Sequence, residues 1–118
     1  MTDQEAFNRV VLHLTQQGCK SQGENRDCLY RGPGGTRCAI GALIPDAEYQ
    51  PWFDSPDFFA GNSGFESIVQ VCPSLQGVTV RLLEDLLEVH DRYDVALWPE
   101  RLRIVASRYD LSTDVLNG

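Results

Sequence analysis

Two side chains in this sequence have the chemistry of a nucleophile and its base, Cys38 and His90. At 100° per residue, His90 falls inside the apolar arc that Leu82, Leu83, Leu86, Leu87, Val89 and Tyr93 make over residues 79–93. An imidazole aimed into a core must satisfy its ring nitrogens, so the position demands a partner. A backbone carbonyl, a carboxylate, Tyr30 and Cys38 are the candidates. Cys38 heads the apolar run Ala39-Ile40-Gly41-Ala42-Leu43-Ile44, and a thiol at a helix N-terminus is acidified by the free amides there. Brought together, the two would form a Cys–His nucleophile and base. The plainer reading makes His90 a structural core histidine and Cys38 a small apolar filler. On that reading no residue is catalytic, and Cys38 and His90 are the only candidates.

Metal and phosphate chemistry find less support. His13, Cys19, Cys28 and Cys38 are separated by five, eight and nine residues. Zinc sites usually set two ligands two to four residues apart, so no metal and no cofactor is expected. His90 and Asp91 are adjacent on a helix and should diverge. The turn Gly32-Pro33-Gly34-Gly35 looks like a phosphate loop, but Thr36-Arg37 follows where a Lys and a Ser or Thr are needed.

A binding surface is the remaining possibility. Between Cys38 and Val80 stand Asp46, Glu48, Asp54, Asp57 and Glu66, with no Lys or Arg. Tyr49, Trp52, Phe53, Phe58, Phe59 and Phe65 are interleaved, six of the chain's eleven aromatics. Some of these must be core or lid over the core. Aromatics beside uncompensated acids also suit a patch for a basic protein, with Asp46, Glu48, Trp52, Phe53, Asp54, Asp57 and Phe58 as its contacts.

The elements that must position these groups are mostly helices. Thr2-Asp3-Gln4-Glu5 is a capping box, Phe7, Val10, Val11 and Leu14 form a stripe, and Gly18 supplies a left-handed stop, giving a helix over 3–17. Cys28–Arg31 and Thr36–Cys38 around the glycine turn read as a β-hairpin near residues 28–38. Thr36 as N-cap tilts 39–44 towards a short helix, and residues 45–62 read as a long irregular segment. Ser63-Gly64-Phe65-Glu66 is a second capping box, and Pro73 stops the helix that carries Ile68, Val69 and Cys72. Residues 79–93 make the strongest helix, with Arg81/Asp85 and Glu88/Arg92 as i, i+4 pairs. Trp98-Pro99-Glu100 opens the last one. The fold expected is mainly α (α+β): four to five helices around one core, with one short hairpin.

With 118 residues, 42% hydrophobic and 23% charged, the chain suits a single globular domain spanning 1–118. The formal net charge is −7, spread along the whole chain, which opposes direct binding of nucleic acid and favours basic partners. No apolar run is long enough to span a membrane, and the polar start Met1–Glu5 does not read as a signal peptide. The four cysteines are therefore expected as thiols in a reducing cytoplasm. In an exported protein they would allow three pairings.

Cys28-Leu29-Tyr30-Arg31, then Cys38-Ala39-Ile40-Gly41-Ala42-Leu43-Ile44-Pro45-Asp46 and Tyr49, resemble a group of small phage and prophage proteins with a C-A-I-G-x-L-I-P-D signature. Leu87-Glu88-Val89-His90-Asp91 and Trp98 are similar to that group's later positions, so the resemblance covers about residues 5–107. The stretch 52–61 departs from the pattern, which has a shorter acidic turn there. The resemblance implies an accessory protein of the host bacterial cytoplasm that binds and inhibits a host protein, as anti-CRISPR and other counter-defence proteins do. It implies no chemistry. An enzyme or ligand-binding protein using Cys38 and His90 is the alternative.

Overall fold

Thr2 opens the first helix, α1 (Asp3–Gln17), as the sequence leads one to expect. Its Oγ1 accepts the Glu5 amide at 3.1 Å and the Glu5 carboxylate accepts the Thr2 amide at 3.1 Å. Gly18 closes the helix at φ 66°, a conformation other residues reach at a cost, and its amide returns to the Leu14 carbonyl. The computed structural model describes residues 1–23, 28–54 and 64–117, without the side chains of 64–66. Within these the chain is mainly helical, with α2 (Gly64–Val71), α3 (Val80–Arg92) and α4 (Trp98–Arg108) following α1. Short 3-10 turns lie between them, at Gly41–Leu43, Pro51–Asp54 and Pro73–Leu75 among others. The second capping box, at Ser63–Glu66, lies outside the described residues. Among the described residues no helix is long and apolar enough to cross a membrane.

One buried cluster gathers the apolar stripes: Phe7, Val10 and Leu14 of α1, Ile68 of α2, Leu82, Leu83 and Leu86 of α3, and Leu102 and Val105 of α4. Antiparallel pairing of α3 and α4 is fixed at both ends. Tyr109 donates its hydroxyl to Asp85 at 2.7 Å at one end, and Trp98 Nε1 donates to the Tyr93 carbonyl at 3.1 Å at the other. The two i, i+4 pairs expected on α3 are not formed. Asp85 turns instead to Tyr109 and Arg108, because α4 offers it a half-buried hydroxyl that solvent screens less. Asp3 joins α1 to the start of α3 by accepting both the amide and the hydroxyl of Thr79, at 2.8 and 2.7 Å.

The β-hairpin expected near 28–38 does not form; among the described residues no strand does. The turn is there, with Gly34 and Gly35 at positive φ, but only the isolated antiparallel bridge Arg31↔Arg37 closes it. Its would-be ladder is used elsewhere: the Asp54 carboxylate accepts the backbone amides of Tyr30 and Arg31 at 2.7 and 3.1 Å. Residues 39–44 hold only the 3-10 turn Gly41–Leu43. Thr36 does not cap it, since its hydroxyl donates to the Pro33 carbonyl at 2.9 Å.

Gly41 makes the tightest approach in the fold. A Cβ on it would stand 2.0 Å from the Tyr30 carbonyl oxygen, a backbone atom that cannot swing aside. Gly41→Ala should therefore cost about 3 kcal/mol or more, beyond the usual penalty for an overpacked site. Chemical denaturation of the purified variant measures this. A variant within about 0.5 kcal/mol of wild type would show that the turn can move away from Tyr30.

Candidate functional site

Near the C-terminal end of α3 the structure builds its most polar interior point. His90 is fully buried, and its Nε2 accepts the backbone amide of Ser21 at 3.0 Å. Its Nδ1 lies 2.6 Å from the Asp91 carboxylate, and its ring stacks on Trp98 with centroids 5.6 Å apart. A nitrogen that accepts from an amide carries no proton, so the proton sits on Nδ1 and is donated to Asp91. Both nitrogens are thus satisfied, one by a carboxylate, as the sequence demands, and one by an amide donor. The expected divergence of His90 and Asp91 is corrected: in the last turn of the helix the Asp91 side chain folds back onto the ring before it.

Cys28 comes to the same place. Its Sγ, a ring nitrogen of His90 and a carboxylate oxygen of Asp91 lie within 4.8 Å of one another, a grouping that the spacing of the cysteines did not reveal. The set resembles a three-ligand metal centre, but the Ser21 amide argues against it. A metal on Nδ1 would move the ring proton to Nε2, against an N–H only 3.0 Å away. Nor is the group a catalytic triad, because Nε2, the nitrogen that would face the thiol, is already occupied. Burial and then the Asp91 charge push the Cys28 thiol up to about 11, away from the thiolate a nucleophile needs.

Cys38 is not joined to His90 by any hydrogen bond among the described residues. It is fully buried, its Sγ accepts the Gly41 amide at 3.2 Å, and burial raises its pKa. The acidified thiol expected at a helix start is therefore corrected: no α-helix begins there, and desolvation outweighs the amides of Gly41 and Ile40. Cys38 and Cys28 do line one small cleft with Leu29, Tyr30, Leu87 and Asp91. His13 is half-buried beside the Arg37 carbonyl, 3.2 Å from its Nε2.

The acidic, aromatic segment divides sharply. Phe53 is in the core, meeting Tyr49 and Trp52 edge-on. Asp54 is engaged by Tyr30, Arg31 and the Tyr49 hydroxyl. Glu48 accepts the amide and hydroxyl of Ser74. Asp46, without a base near it in sequence, is met in space by Arg31 at 2.7 Å and Arg37 at 3.3 Å, while its side chain stays 80% exposed. Arg31 also lies over the Tyr49 ring, 4.3 Å from its centroid. Trp52 remains 39% exposed. Asp57 and Phe58 lie outside the described residues. Comparison with known protein families, curated proteins and solved structures returned no match.

Two outcomes follow from this geometry. Long-range ¹H–¹⁵N NMR should find His90 protonated at Nδ1 and bare at Nε2, and His90→Ala should cost about 2–5 kcal/mol through its cavity and the orphaned Ser21 amide. A proton on Nε2 would reopen the metal reading. Alkylation at neutral pH should modify exposed Cys19 well before Cys28, whose rate climbs only as pH approaches about 11. Because folding raises this pKa, the associated stability is complete below pH 9 and is lost as pH rises from 9 to about 11.

Proposed function

We propose that this chain is a phage- or prophage-encoded accessory protein that binds and inhibits a host protein with a basic surface in the host cytoplasm, as a counter-defence (anti-CRISPR-like) factor does. The observation that carries the reading is the surface at 45–52, where exposed Trp52 and Asp46 stand on a rigid base. Glu48 and Asp54 fasten that base to Ser74 and to Tyr30–Arg31, so a partner meets a surface that loses little freedom on binding. A half-exposed tryptophan is the side chain most often found as an interface anchor, and acids around it steer basic partners. The enzyme alternative finds less support, since His90 and Cys38 are both saturated from within.

Among the described residues the proposed partner contacts are Asp46 and Trp52, with Glu48, Phe53 and Asp54 supporting them from behind. A photo-crosslinking residue at position 52, with exposed Leu12 as the control position, identifies the partner in host cells. Against that purified partner, Trp52→Ala should weaken binding by about 30-fold or more, mainly through faster dissociation. Asp46→Asn should slow association and flatten its salt dependence. A folded Trp52→Ala protein that binds as wild type does would sink the proposal.

A further inference from the structure

The outer face of the α3–α4 pair carries separated charge, and among the described residues the only ion pair on it joins Arg108 to Asp85 at 3.5 Å. Leu97 at the N-cap of α4, then Arg101, Ile104 and Arg108 on it, follow one another at spacings of four, three and four, which puts them on one stripe. Leu97 is 40% and Ile104 37% exposed, two of the six large apolar side chains that stand out from the described surface. Alongside, α3 presents Glu84 and Glu88 at the centre of its stripe, with Arg81 and Arg92 at the ends. Among the described residues neither Glu84 nor Glu88 makes an ion pair, and Arg101 is held only over the Tyr93 ring. A shallow cleft lined by Asp85, Glu88, Tyr93, Arg101, Ile104 and Arg108 runs between the stripes.

We infer that this face is the contact between two copies of the chain, related by a two-fold axis lying along the cleft. Two copies meeting face to face have two simple choices of in-plane axis. An axis across the helices lays α3 on α3, acid on acid, and is repelled. An axis along them lays the α3 of each copy on the α4 of the other, brings Glu84 and Glu88 to Arg108, and uses every contact twice. It also fixes the register. Within the chain Asp85 meets Arg108 and Tyr109, so these lie at one height along the pair. The axis preserves height, and Arg108 of each copy therefore arrives between Glu84 and Glu88 of the other. Ile104 is covered in the same step, which removes exposed apolar surface from water.

The test reverses each stripe separately, in the full chain. Glu84→Arg with Glu88→Arg reverses the two acids of the α3 stripe, and Arg108→Glu reverses the base that meets them. Sedimentation equilibrium at low salt should show the wild type dimerising and each variant weakened by about tenfold or more. Circular dichroism confirms that each is folded. Mixing the two variants should restore a dimer, because each then supplies the charge that the other lacks. The direction in the first variant separates this contact from a general charge effect: it brings the net charge nearer to zero, which alone would favour association. The inference is overturned by a wild type that stays monomeric at all concentrations reached, by variants that dimerise as the wild type does, or by a mixture that fails to pair.

Discussion

The region between α1 and α2 has no helix of its own beyond short turns and no strand among its described residues, so its backbone amides pair with one another only locally, and those of Ser21, Tyr30, Arg31 and Arg37 go to side chains. Unpaired amides inside a protein are costly, and side chains reaching in from elsewhere must accept them. His90 does this for Ser21, deep against α3, and Asp54 does it for Tyr30 and Arg31. Between these two anchors the Leu29 amide returns to the Ser21 carbonyl at 2.9 Å. His90 thus ties this region to α3 and Asp54 ties its two ends to each other, while Tyr30, Ile40, Ile44 and Phe53 seat it in the core.

This changes the meaning of the acidic composition. A net charge of −7 invites the picture of a uniformly repelling, solubilising surface. Several of the carboxylates are instead structural acceptors: Asp3 for Thr79, Glu5 for Thr2, Glu48 for Ser74, Asp54 for Tyr30 and Arg31, Asp91 for His90. Each takes a hydrogen bond in which one partner is charged, roughly twice as strong as a neutral one. Among the described residues the acids that remain, Asp46, Glu84, Asp85, Glu88, Asp94, Glu100, Asp110 and Asp114, are spread over the rest of the surface. Their placement matters more than their number.

The four helices were legible because their signals are local: a capping box and a terminal glycine within a few residues of the stripe they bound. His90 was legible as a buried, partnered group because period and residue type conflict at one position. The hairpin was misread for a reason that no local window contains. Gly32–Gly35 are turn residues and do turn, but the amides needed for a ladder are taken by Asp54, more than twenty residues on. Separation along the chain also hid the pairing of Asp46 with Arg31 and Arg37, and the meeting of Cys28 with His90 and Asp91.

A ladder of hydrogen bonds resists opening as a unit, since each rung holds the next in register. Ser21 is held instead by His90, and Tyr30 and Arg31 together by Asp54, on different parts of the fold, and letting go of one acceptor does not align or misalign the other. Such a region opens in steps, each with its own free energy, below the cost of unfolding the helices. Proteolysis and hydrogen exchange would meet it as several small gates in a wall that is otherwise cooperative.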